Sequence, residues 1–392
     1  MQKLKKEALK RAWAEISLSS LKSNVEKCRS LLPEGVEMMS VVKANCYGHG
    51  IENVIPCLEN DCGVSKFAVS NLVEAAELRD LGLKGSILIL GYTPPKNAAD
   101  LLELDVVQAI TDADYAAELS KNCPAGKKVR CHLAVDTGMT RIGIRGDKKQ
   151  LVSQAEEIFS LPGLCVEGIF THLSSADSAD PDDVKYTEAQ IEKLLALKDG
   201  LAKRGVTFAE THFLNSAGAA YHPDPRGSLA RFGIMQFGLS PNAELELPVR
   251  LKPVMQLKAA VSQVKTVEAG ADISYGRTFT TQRETRVAVV TIGYADGYPR
   301  LLSGKAEVLI KGRRAKILGR VCMDQMMIDV TNANARLGDE VKLYSDDFKE
   351  TSLDYIADSI GTISNEVICA VSSRVPRIAV RKGKIVEVVN ER

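Results

Sequence analysis

Short apolar runs alternate with helix-like segments through the first two-thirds of this chain, and that alternation limits its possible folds more than any other feature. The runs are rich in Val, Ile, Leu and Phe, and both of their faces are apolar, as in parallel strands that helices cover. Between them, apolar residues recur at helical spacing, as at 71–82 and 186–205. The eight runs span residues 37–44, 66–71, 86–91, 106–110, 129–137, 165–173, 212–216 and 231–238.

Eight such β-then-α units predict an α/β fold, a closed (β/α)8 barrel of the TIM type. An open doubly wound sheet is the alternative that the same pattern allows. Near Pro253 the pattern changes to strands with turn glycines and little helix except at 352–361, which predicts a mainly antiparallel β domain. We therefore assign residues 1–12 to an N-terminal extension, 13–245 to the barrel and 246–392 to the β domain.

The charge balance and the cysteine pattern exclude several classes of function. Lys+Arg 51 against Asp+Glu 50 leaves a net charge of +1, so nucleic acid and anionic membranes are not expected partners. No apolar run reaches the length of a membrane span, about 18 residues, and the charged N-terminus does not resemble a signal peptide. The nine cysteines are scattered without a CxxC pair, so we expect free thiols, no metal site and a cytoplasmic protein.

One lysine stands where a buried strand should end, in the stretch VVKANCYGHG at 41–50. The C-terminal ends of barrel strands carry the chemistry of TIM-type enzymes, and Lys43 would lie at the end of the first strand. Desolvation there makes an amine nucleophilic and able to form a Schiff base with a carbonyl compound. The alternative, which this stretch alone favours, is a lysine whose ammonium group reaches solvent past the strand end.

Two glycine-containing stretches accompany the last two predicted strands, NSAG at 215–218 and RFGI at 231–234. Loops at this place in TIM-type barrels often bind phosphate. Asn215 and Ser216 offer side-chain donors, and Gly233 lets backbone N–H groups approach an anion. A helix cap and a simple turn are the alternatives. Together with a Schiff-base lysine, a phosphate cradle at the same mouth indicates pyridoxal 5′-phosphate (PLP).

These three stretches and five others resemble the alanine racemase family, which includes serine-active relatives, and the resemblance runs from about Arg11 to the C-terminus. It implies a PLP-dependent isomerase that interconverts L- and D-alanine and supplies D-alanine for peptidoglycan. It also implies a head-to-tail homodimer in which each barrel mouth faces the partner's β domain. The matching motifs are VVKANCYGHG, VDTGMTRIG, GIFTHLSSAD, NSAG, RFGIMQFGLSP, ISYGRTF, IGYADGYPR and CMDQMMIDVT.

The resemblance further implies a two-base mechanism across the dimer. Lys43 corresponds to the Schiff-base lysine and one base, and Tyr275 of the partner subunit corresponds to the second base. Two bases on opposite faces of a planar carbanion remove and return the Cα proton simply, although a phenol that loses its proton near pH ~10 in water needs tuning. His172 and Arg231 match a pair that supports this tyrosine. Arg231 also matches the residue at the pyridine nitrogen, which it cannot protonate, so rapid reprotonation is favoured over transamination.

The remaining matches concern binding of the cofactor and the substrate. Arg141 corresponds to an arginine near the cofactor's phenolic oxygen and the substrate carboxylate. Met323 corresponds to a backbone contact with that carboxylate from the partner chain, with core packing as its alternative. Tyr294 and Asp324 correspond to residues that line the entrance. The phosphate ligands of the family correspond to Tyr47, Ser216, Gly233 and Ile234, with Asn215 in the same cluster.

Two positions depart from the family pattern. Many members carry a carbamylated lysine just before VDTGM that orients the arginine, whereas this chain has Ala134. We therefore expect water, chloride or another side chain to hold Arg141. Many members also have a tyrosine at the phosphate where this chain has Asn365. Asparagine is smaller and both donates and accepts hydrogen bonds, so we expect room for the hydroxyl of serine, and a serine or broad-specificity amino-acid racemase is the alternative function.

Two further classes of PLP protein share parts of this architecture. PLP-dependent decarboxylases carry a glycine-rich phosphate loop and a Cys-Glu pair in the β domain, where this chain has RFGI and CMDQ. Non-catalytic PLP-binding proteins end after the barrel, whereas this chain continues into a β domain that carries ISYGRTF. Both differences favour the racemase.

Overall fold

Eight parallel strands close into a barrel in the computed structural model of the protein, which describes residues 11–389. A nine-stranded sheet accompanies the barrel. The predicted α/β fold, a TIM-type barrel followed by a mainly antiparallel β domain, is therefore confirmed, and the chain does not form an open doubly wound sheet. After a first strand, β1 (Ala12–Ser17), the barrel strands are β2 (Glu37–Val41), β3 (Lys66–Val69), β4 (Ser86–Ile89), β5 (Val107–Ile110), β6 (Val129–Ala134), β7 (Leu164–Phe170), β8 (Glu210–Leu214) and β9 (Leu229–Phe232).

Helices connect the barrel strands, and side-chain caps begin several of them. Asn71 accepts a hydrogen bond from the backbone N–H of Glu74, and Asp147 forms a reciprocal capping box with Gln150. Such caps satisfy first-turn N–H groups that have no partner inside the helix. The α-helices with right-handed backbone are Leu18–Ser30, Ile51–Pro56, Leu72–Asp80, Ala98–Glu103, Ala113–Asn122, Lys148–Ser160, Pro181–Ala202, Ser216–Tyr221, Leu353–Ser359 and Ser364–Cys369.

The β domain is a sheet in the order β13-β16-β15-β14-β17-β10-β1-β18-β19, and β11 pairs with β12 in a separate two-stranded ribbon. Neighbouring strands are antiparallel except for β1 and β18, which run parallel. The strands are β10 (Met255–Val267), β11 (Asp272–Ile273), β12 (Phe279–Thr280), β13 (Thr285–Val290), β14 (Glu307–Ile310), β15 (Arg313–Leu318), β16 (Met326–Asp329), β17 (Glu340–Lys342), β18 (Arg377–Arg381) and β19 (Lys384–Val389).

Strand β1 lies in the β domain although it comes first in the chain. It pairs antiparallel with β10 and parallel with β18. The range 13–245 that we assigned to the barrel contains most of this strand, so the predicted start of the barrel at residue 13 differs from the structure. Pairing between strands more than 200 residues apart leaves no local signal in the sequence, which is why the apolar pattern could not assign β1 to its sheet.

A buried arginine joins the two parts of the molecule. Arg377 on β18 is 1% exposed, and its guanidinium donates two hydrogen bonds, at 3.0 and 2.9 Å, to the carbonyl oxygen of Gly48. It also donates to the carbonyl oxygens of Ser372, Val375 and Val371 at 2.6–2.7 Å. Gly48 is the last residue of the segment that begins at Lys43. The β domain therefore holds the far end of the segment that carries the lysine.

The helices, the cysteines and the potential metal ligands of the described part of the chain relate to what composition led us to expect. Among residues 11–389, no helix combines the length and the apolar character that crossing a bilayer requires. All nine cysteines are free, and five of them are buried. Cys131 packs in the outer core, whereas the ring of its neighbour His132 contacts His212 across the barrel, as alternation along a strand requires. Over the same residues, no group of three or more His, Cys, Asp or Glu side chains could hold a metal ion.

Candidate active site

A cavity of about 710 Å³ opens at the C-terminal ends of the barrel strands. It brings together all ten residues that the resemblance assigned to cofactor binding, although widely separated parts of the chain carry them. Nine come from the barrel, and the tenth, Asn365, comes from a helix of the β domain, Ser364–Cys369. The ten residues are Lys43, Tyr47, Arg141, His172, Asn215, Ser216, Arg231, Gly233, Ile234 and Asn365.

Lys43 opens a left-handed turn instead of ending a strand. Strand β2 stops two residues earlier, and residues 44–47 all have φ between 52° and 54°. Left-handed backbone costs L-residues roughly 1–2 kcal/mol each, so surrounding contacts must hold the turn. One of them is a hydrogen bond of 2.9 Å from the backbone N–H of Ala44 to Glu74 Oε1. The turn places Lys43 and Tyr47 on the same cavity.

Two hydroxyl groups and a glycine form a polar cradle in this cavity. The backbone N–H of Gly233 donates to Ser216 Oγ at 3.0 Å, and a β-carbon on Gly233 would lie 2.4 Å from the phenolic oxygen of Tyr47. Only glycine therefore lets the two hydroxyls and the backbone come this close. Burial raises the pKa of Tyr47, so its phenol stays protonated at neutral pH and can donate to an anion.

Asn215 caps the helix Ser216–Tyr221 next to this cradle. Its Oδ1 accepts from the backbone N–H of Gly218 at 2.8 Å, and its Nδ2 donates to the carbonyl oxygen of Leu173 at 3.2 Å. The helix-cap alternative is thus correct for this side chain, which also lines the cavity. Its contribution to the site is to fix the start of the helix that carries Ser216.

Arg231 is buried under the cavity, and acceptors engage both terminal nitrogens of its guanidinium. Its Nη2 donates to the carbonyl oxygen of Thr171 at 2.8 Å and lies 3.3 Å from His172 Nδ1. Its Nη1 lies 2.6 Å from His212 Nδ1. Burial, followed by the positive charge of Arg141, lowers the pKa of Arg231 to about 9, so the side chain remains a cation at neutral pH. Arg231 is 3% exposed, so it is not part of a surface ion pair.

The two histidines at Arg231 are held neutral by their surroundings. Burial and the positive charges of Arg231, Arg141 and Lys43 lower the pKa of His172 to about 3. Burial and Arg231 likewise lower the pKa of His212 well below its usual value. His212 was not among the residues that the sequence predicted for the site. Its one signal was a polar residue in the apolar run HFLNS, at a position that faces the barrel interior.

No lysine stands beside Arg141 to carry a carbamate. Ala134 is buried and packs with Ala109 and Phe170 at the cavity wall. Arg141 also lines the cavity, and among residues 11–389 its guanidinium has no hydrogen-bond or ion-pair partner. The nearby carboxylate of Asp136 instead accepts from the loop backbone and lies 3.6 Å from Arg145. A protein side chain therefore does not replace the carbamate in the described part of the chain.

Four residues of the β domain that the resemblance assigns to the active site do not line this cavity. Tyr275 is 70% exposed, Met323 is 53% exposed and Tyr294 is 41% exposed. The carboxylate of Asp324 forms an ion pair of 2.8 Å with Arg374. Exposure of Met323 means that core packing, its alternative role, does not hold. We call Tyr275, Tyr294, Met323 and Asp324 the Tyr275 patch.

Hydrogen bonds to backbone carbonyl oxygens hold the Tyr275 patch together. Tyr275 follows Ser274, whose φ of 71° is unusual for a residue other than glycine, and Ser274 Oγ donates to the carbonyl oxygen of Arg320 at 2.7 Å. The backbone N–H of Tyr294 donates to the carbonyl oxygen of Cys322 at 3.0 Å. The two tyrosines thus stand on loops that are fixed to the same segment, residues 320–323.

Comparisons with known proteins agree with this architecture in both domains. Residues 16–241 match the model of the alanine racemase N-terminal domain, and residues 254–379 match that of the alanine racemase C-terminal domain. An alanine racemase of Clostridium perfringens is 42% identical over 385 residues, which covers 96% of this chain and 97% of that protein.

Solved structures agree as well. The alanine racemase of Clostridium difficile 630 superimposes with a TM-score of 0.90 at 34% identity, covering 97% of this chain and 98% of that one. The alanine racemase from Bacillus anthracis with bound L-Ala-P gives a TM-score of 0.90 at 35% identity, with 97% of each chain covered. The chain belongs to the alanine racemase family.

Proposed function

We propose that this protein is a PLP-dependent racemase that interconverts L- and D-alanine at active sites shared between two subunits. One observation carries the proposal: a single cavity collects an amine, a polar cradle and a buried arginine. The names of the relatives, alanine racemases from several bacteria, support alanine as the substrate. D-alanine supply for peptidoglycan and a cytoplasmic location remain predictions from the family resemblance.

The residues of the cavity fit PLP. The cradle at Gly233 combines two hydroxyls with backbone close enough that a β-carbon would fill the space, which suits a phosphate group. The amine of Lys43 lines the same cavity, and Arg231 offers only N–H donors to a ring nitrogen. When bound, the cofactor acts as an electron sink that makes the Cα–H bond of an attached amino acid acidic. Tyr47, Ser216 and the backbone at Gly233 would hold its phosphate.

Racemisation requires a proton to leave Cα on one face and another to arrive on the opposite face. The Lys43 amine can serve the face on which it enters the cavity. No other amine or phenol of the same chain lines the cavity within the described residues, except Tyr47 in the cradle. We infer that Tyr275 of the partner subunit serves the other face. Its exposure in the single chain is what a residue that inserts into a neighbouring site requires.

His172 can tune such a tyrosine. Its neutral ring accepts from Arg231 at Nδ1, so its proton lies on Nε2. An Nε2–H group that meets a phenolic oxygen stabilises the deprotonated form, because a hydrogen bond to the charged form favours ionisation. In this way Arg231 acts at two places, since it orients His172 and presents donors to the cavity.

The Tyr275 patch has the composition of a subunit interface. Exposed Tyr and Met side chains on adjoining loops are enriched at protein interfaces. A head-to-tail homodimer would bring the patch of one chain over the barrel mouth of the other. This arrangement also gives Tyr294 and Asp324 their proposed place at the entrance and Met323 its proposed contact with the substrate carboxylate.

We also propose that the site accepts serine as a second substrate. Asn365 lines the cavity and is partly exposed, and its amide can donate to or accept from a substrate hydroxyl. The observation that favours serine is therefore a polar, short side chain on the cavity wall, at a position where the family resemblance implies a tyrosine in many members.

Complementation between two inactive variants tests the shared site. Lys43→Ala and Tyr275→Phe should each abolish most alanine racemisation, measured by chiral chromatography. After mixed refolding, roughly half of the dimers should be mixed, and each should carry one site with both wild-type residues, so activity should recover to about a quarter of wild type. Wild type mixed with the double variant Lys43→Ala/Tyr275→Phe serves as the control for subunit exchange, because its mixed dimers have no intact site and random exchange should lower the activity from about a half to about a quarter of wild type. Mixed dimers without recovered activity, or full activity of either variant alone, would overturn the proposal.

A further inference from the structure

A chain of polar side chains crosses the interior of the barrel below the active site. It begins at Arg231, continues through His212 on β8 and His132 on β6, and ends at Glu210 near the opposite face. His212 and His132 are 0% and 1% exposed. The part beyond His212 has no role in the proposed mechanism, although burying polar groups inside an apolar barrel is costly. We call these four residues the histidine column.

The donors and acceptors of the column have only one consistent assignment. A guanidinium has no acceptor, so at 2.6 Å from Arg231 Nη1 the Nδ1 atom of His212 must be unprotonated. The proton of His212 is therefore on Nε2, which lies 2.9 Å from His132 Nδ1 and donates to it. By the same rule His132 carries its proton on Nε2. That atom faces Glu210 Oε2 at 3.4 Å, an electrostatic contact longer than a normal hydrogen bond.

The backbone makes room for this arrangement at one position. Gly168 on β7 lies opposite His132, and a β-carbon there would come within 2.5–2.6 Å of three atoms of the imidazole ring. Any other residue would displace the ring. The strand pairing between β6 and β7 also has a register shift between Cys131 and His132. The fold thus accommodates an imidazole at this place, where an aliphatic residue would otherwise fill the barrel.

We propose that His132 is a positioning residue that holds Arg231 in its orientation toward the cavity through the tautomer of His212. Without the acceptor at His132, the Nε2–H group of His212 would be buried with no partner. His212 would then rotate or change tautomer, and its Nδ1 would no longer accept a hydrogen bond from the guanidinium of Arg231. The inference deepens the proposed racemase function, because Arg231 is the residue that presents donors to the cofactor pocket.

Two substitutions separate hydrogen bonding from packing. The amide oxygen of His132→Asn can occupy the acceptor position of Nδ1, whereas His132→Leu fills similar space without an acceptor. We expect kcat for L-alanine to fall by about tenfold or more in His132→Leu with little change in KM, and by less than about threefold in His132→Asn. Equal losses in the two variants, or no loss in His132→Leu, would overturn the proposal.

Glycine substitutions provide a matched steric control. Gly168→Ala adds a β-carbon against the His132 ring and should lower kcat as His132→Leu does. Gly85→Ala adds a β-carbon 2.7 Å from the ring of Phe67, a similar clash outside the column, and should leave the ratio of kcat to KM close to wild type. If Gly85→Ala lowers kcat as much as Gly168→Ala, general barrel packing and not the column is responsible.

A spectroscopic readout keeps this inference separate from the racemase proposal. The full chain has only five histidines, so its ¹⁵N-histidine NMR spectrum is simple enough to assign by substitution. Wild type should show His212 and His132 protonated at Nε2 alone. His132→Asn should preserve the His212 signal, and His132→Leu should change it. An unchanged His212 signal in His132→Leu contradicts the positioning role. If wild type fails to racemise alanine, the proposed function falls, and the spectrum still decides this inference.

Discussion

The phenolic oxygen of Tyr47 lies 2.4 Å from the position that a β-carbon on Gly233 would occupy. This contact joins the left-handed turn after β2 to the loop after β9, which are neighbours in the barrel but almost 200 residues apart in the chain. The cradle therefore depends on the closure of the barrel as much as on its own residues.

Gly233→Ala should weaken cofactor binding without unfolding the chain. The new methyl group would displace the Tyr47 hydroxyl and the backbone donor together. We expect the dissociation constant for PLP to rise by roughly 10- to 100-fold, the effect of losing one or two hydrogen bonds to a charged group. Titration of cofactor-free protein by absorbance measures it. Gly200→Ala, where the β-carbon meets nothing closer than 3.6 Å, is the matched control and should bind PLP as wild type does.

Arg377→Lys should destabilise the protein and loosen the segment after Lys43. A lysine ammonium cannot reach the four carbonyl oxygens that the guanidinium satisfies. Each buried acceptor left unpaired costs about 1–3 kcal/mol, so the free energy of unfolding in urea should fall by at least about 3 kcal/mol. The exposed ion pair of Arg314 provides a control, since Arg314→Lys should change stability by less than about 1 kcal/mol. Comparable effects of the two substitutions would argue against this role of Arg377.

Asn365→Tyr should shift substrate preference toward alanine. The larger ring removes space and the amide group from the cavity wall. We expect the ratio of kcat/KM for serine to that for alanine to fall by roughly tenfold, about the contribution of one hydrogen bond. Asn365→Leu keeps the size and removes the polarity, so it separates the two effects. If wild type leaves L-serine unchanged at high concentration, the proposed serine activity is wrong.

Acid should destabilise the fold through its histidines. The pKa values of His49, His132 and His172 are lowered to about 4, 3 and 3, chiefly by burial, and that of His212 lies well below its usual value. Below the usual value near 6.5, the unfolded chain binds protons that the folded chain excludes. Stability therefore rises with pH up to about 6.5 and is lost as pH falls, by about 1.4 kcal/mol per pH unit for each such histidine.

Urea unfolding at several pH values between 7 and 5 measures this dependence. Paired carboxylates such as Asp224, whose pKa is lowered from 3.8, also lose stabilising interactions as pH falls, but only near and below that value. The pH dependence of stability above pH 5 therefore reports on the histidines. In His172→Gln, the slope of the unfolding free energy against pH should correspond to about one proton fewer taken up on unfolding. A free energy of unfolding that is constant from pH 7 to pH 5 would contradict the neutral state of these rings.

Most of the residues proposed for the site were accessible to sequence reasoning because they stand where strands end. Lys43 and Asn215 interrupt apolar runs at points where a side chain has no place in a core, and the resemblance added Arg141 and Tyr275. His132 and His212 were missed because they lie inside strands. A polar residue inside an apolar strand does not show, from the sequence, which residue of another strand it contacts.

The sequence by itself determined the number and order of the barrel strands, the change to a β domain and the residue types at the strand ends. The periodicity of apolar residues and the positions of glycines are local properties of a sequence, so they can be recognised without knowledge of the tertiary contacts. Tertiary structure decided the sheet to which β1 belongs, the left-handed turn at Lys43 and the histidine column. Each of these depends on contacts between distant residues, such as the 80 positions between His132 and His212, and only barrel closure brings such groups within hydrogen-bond distance.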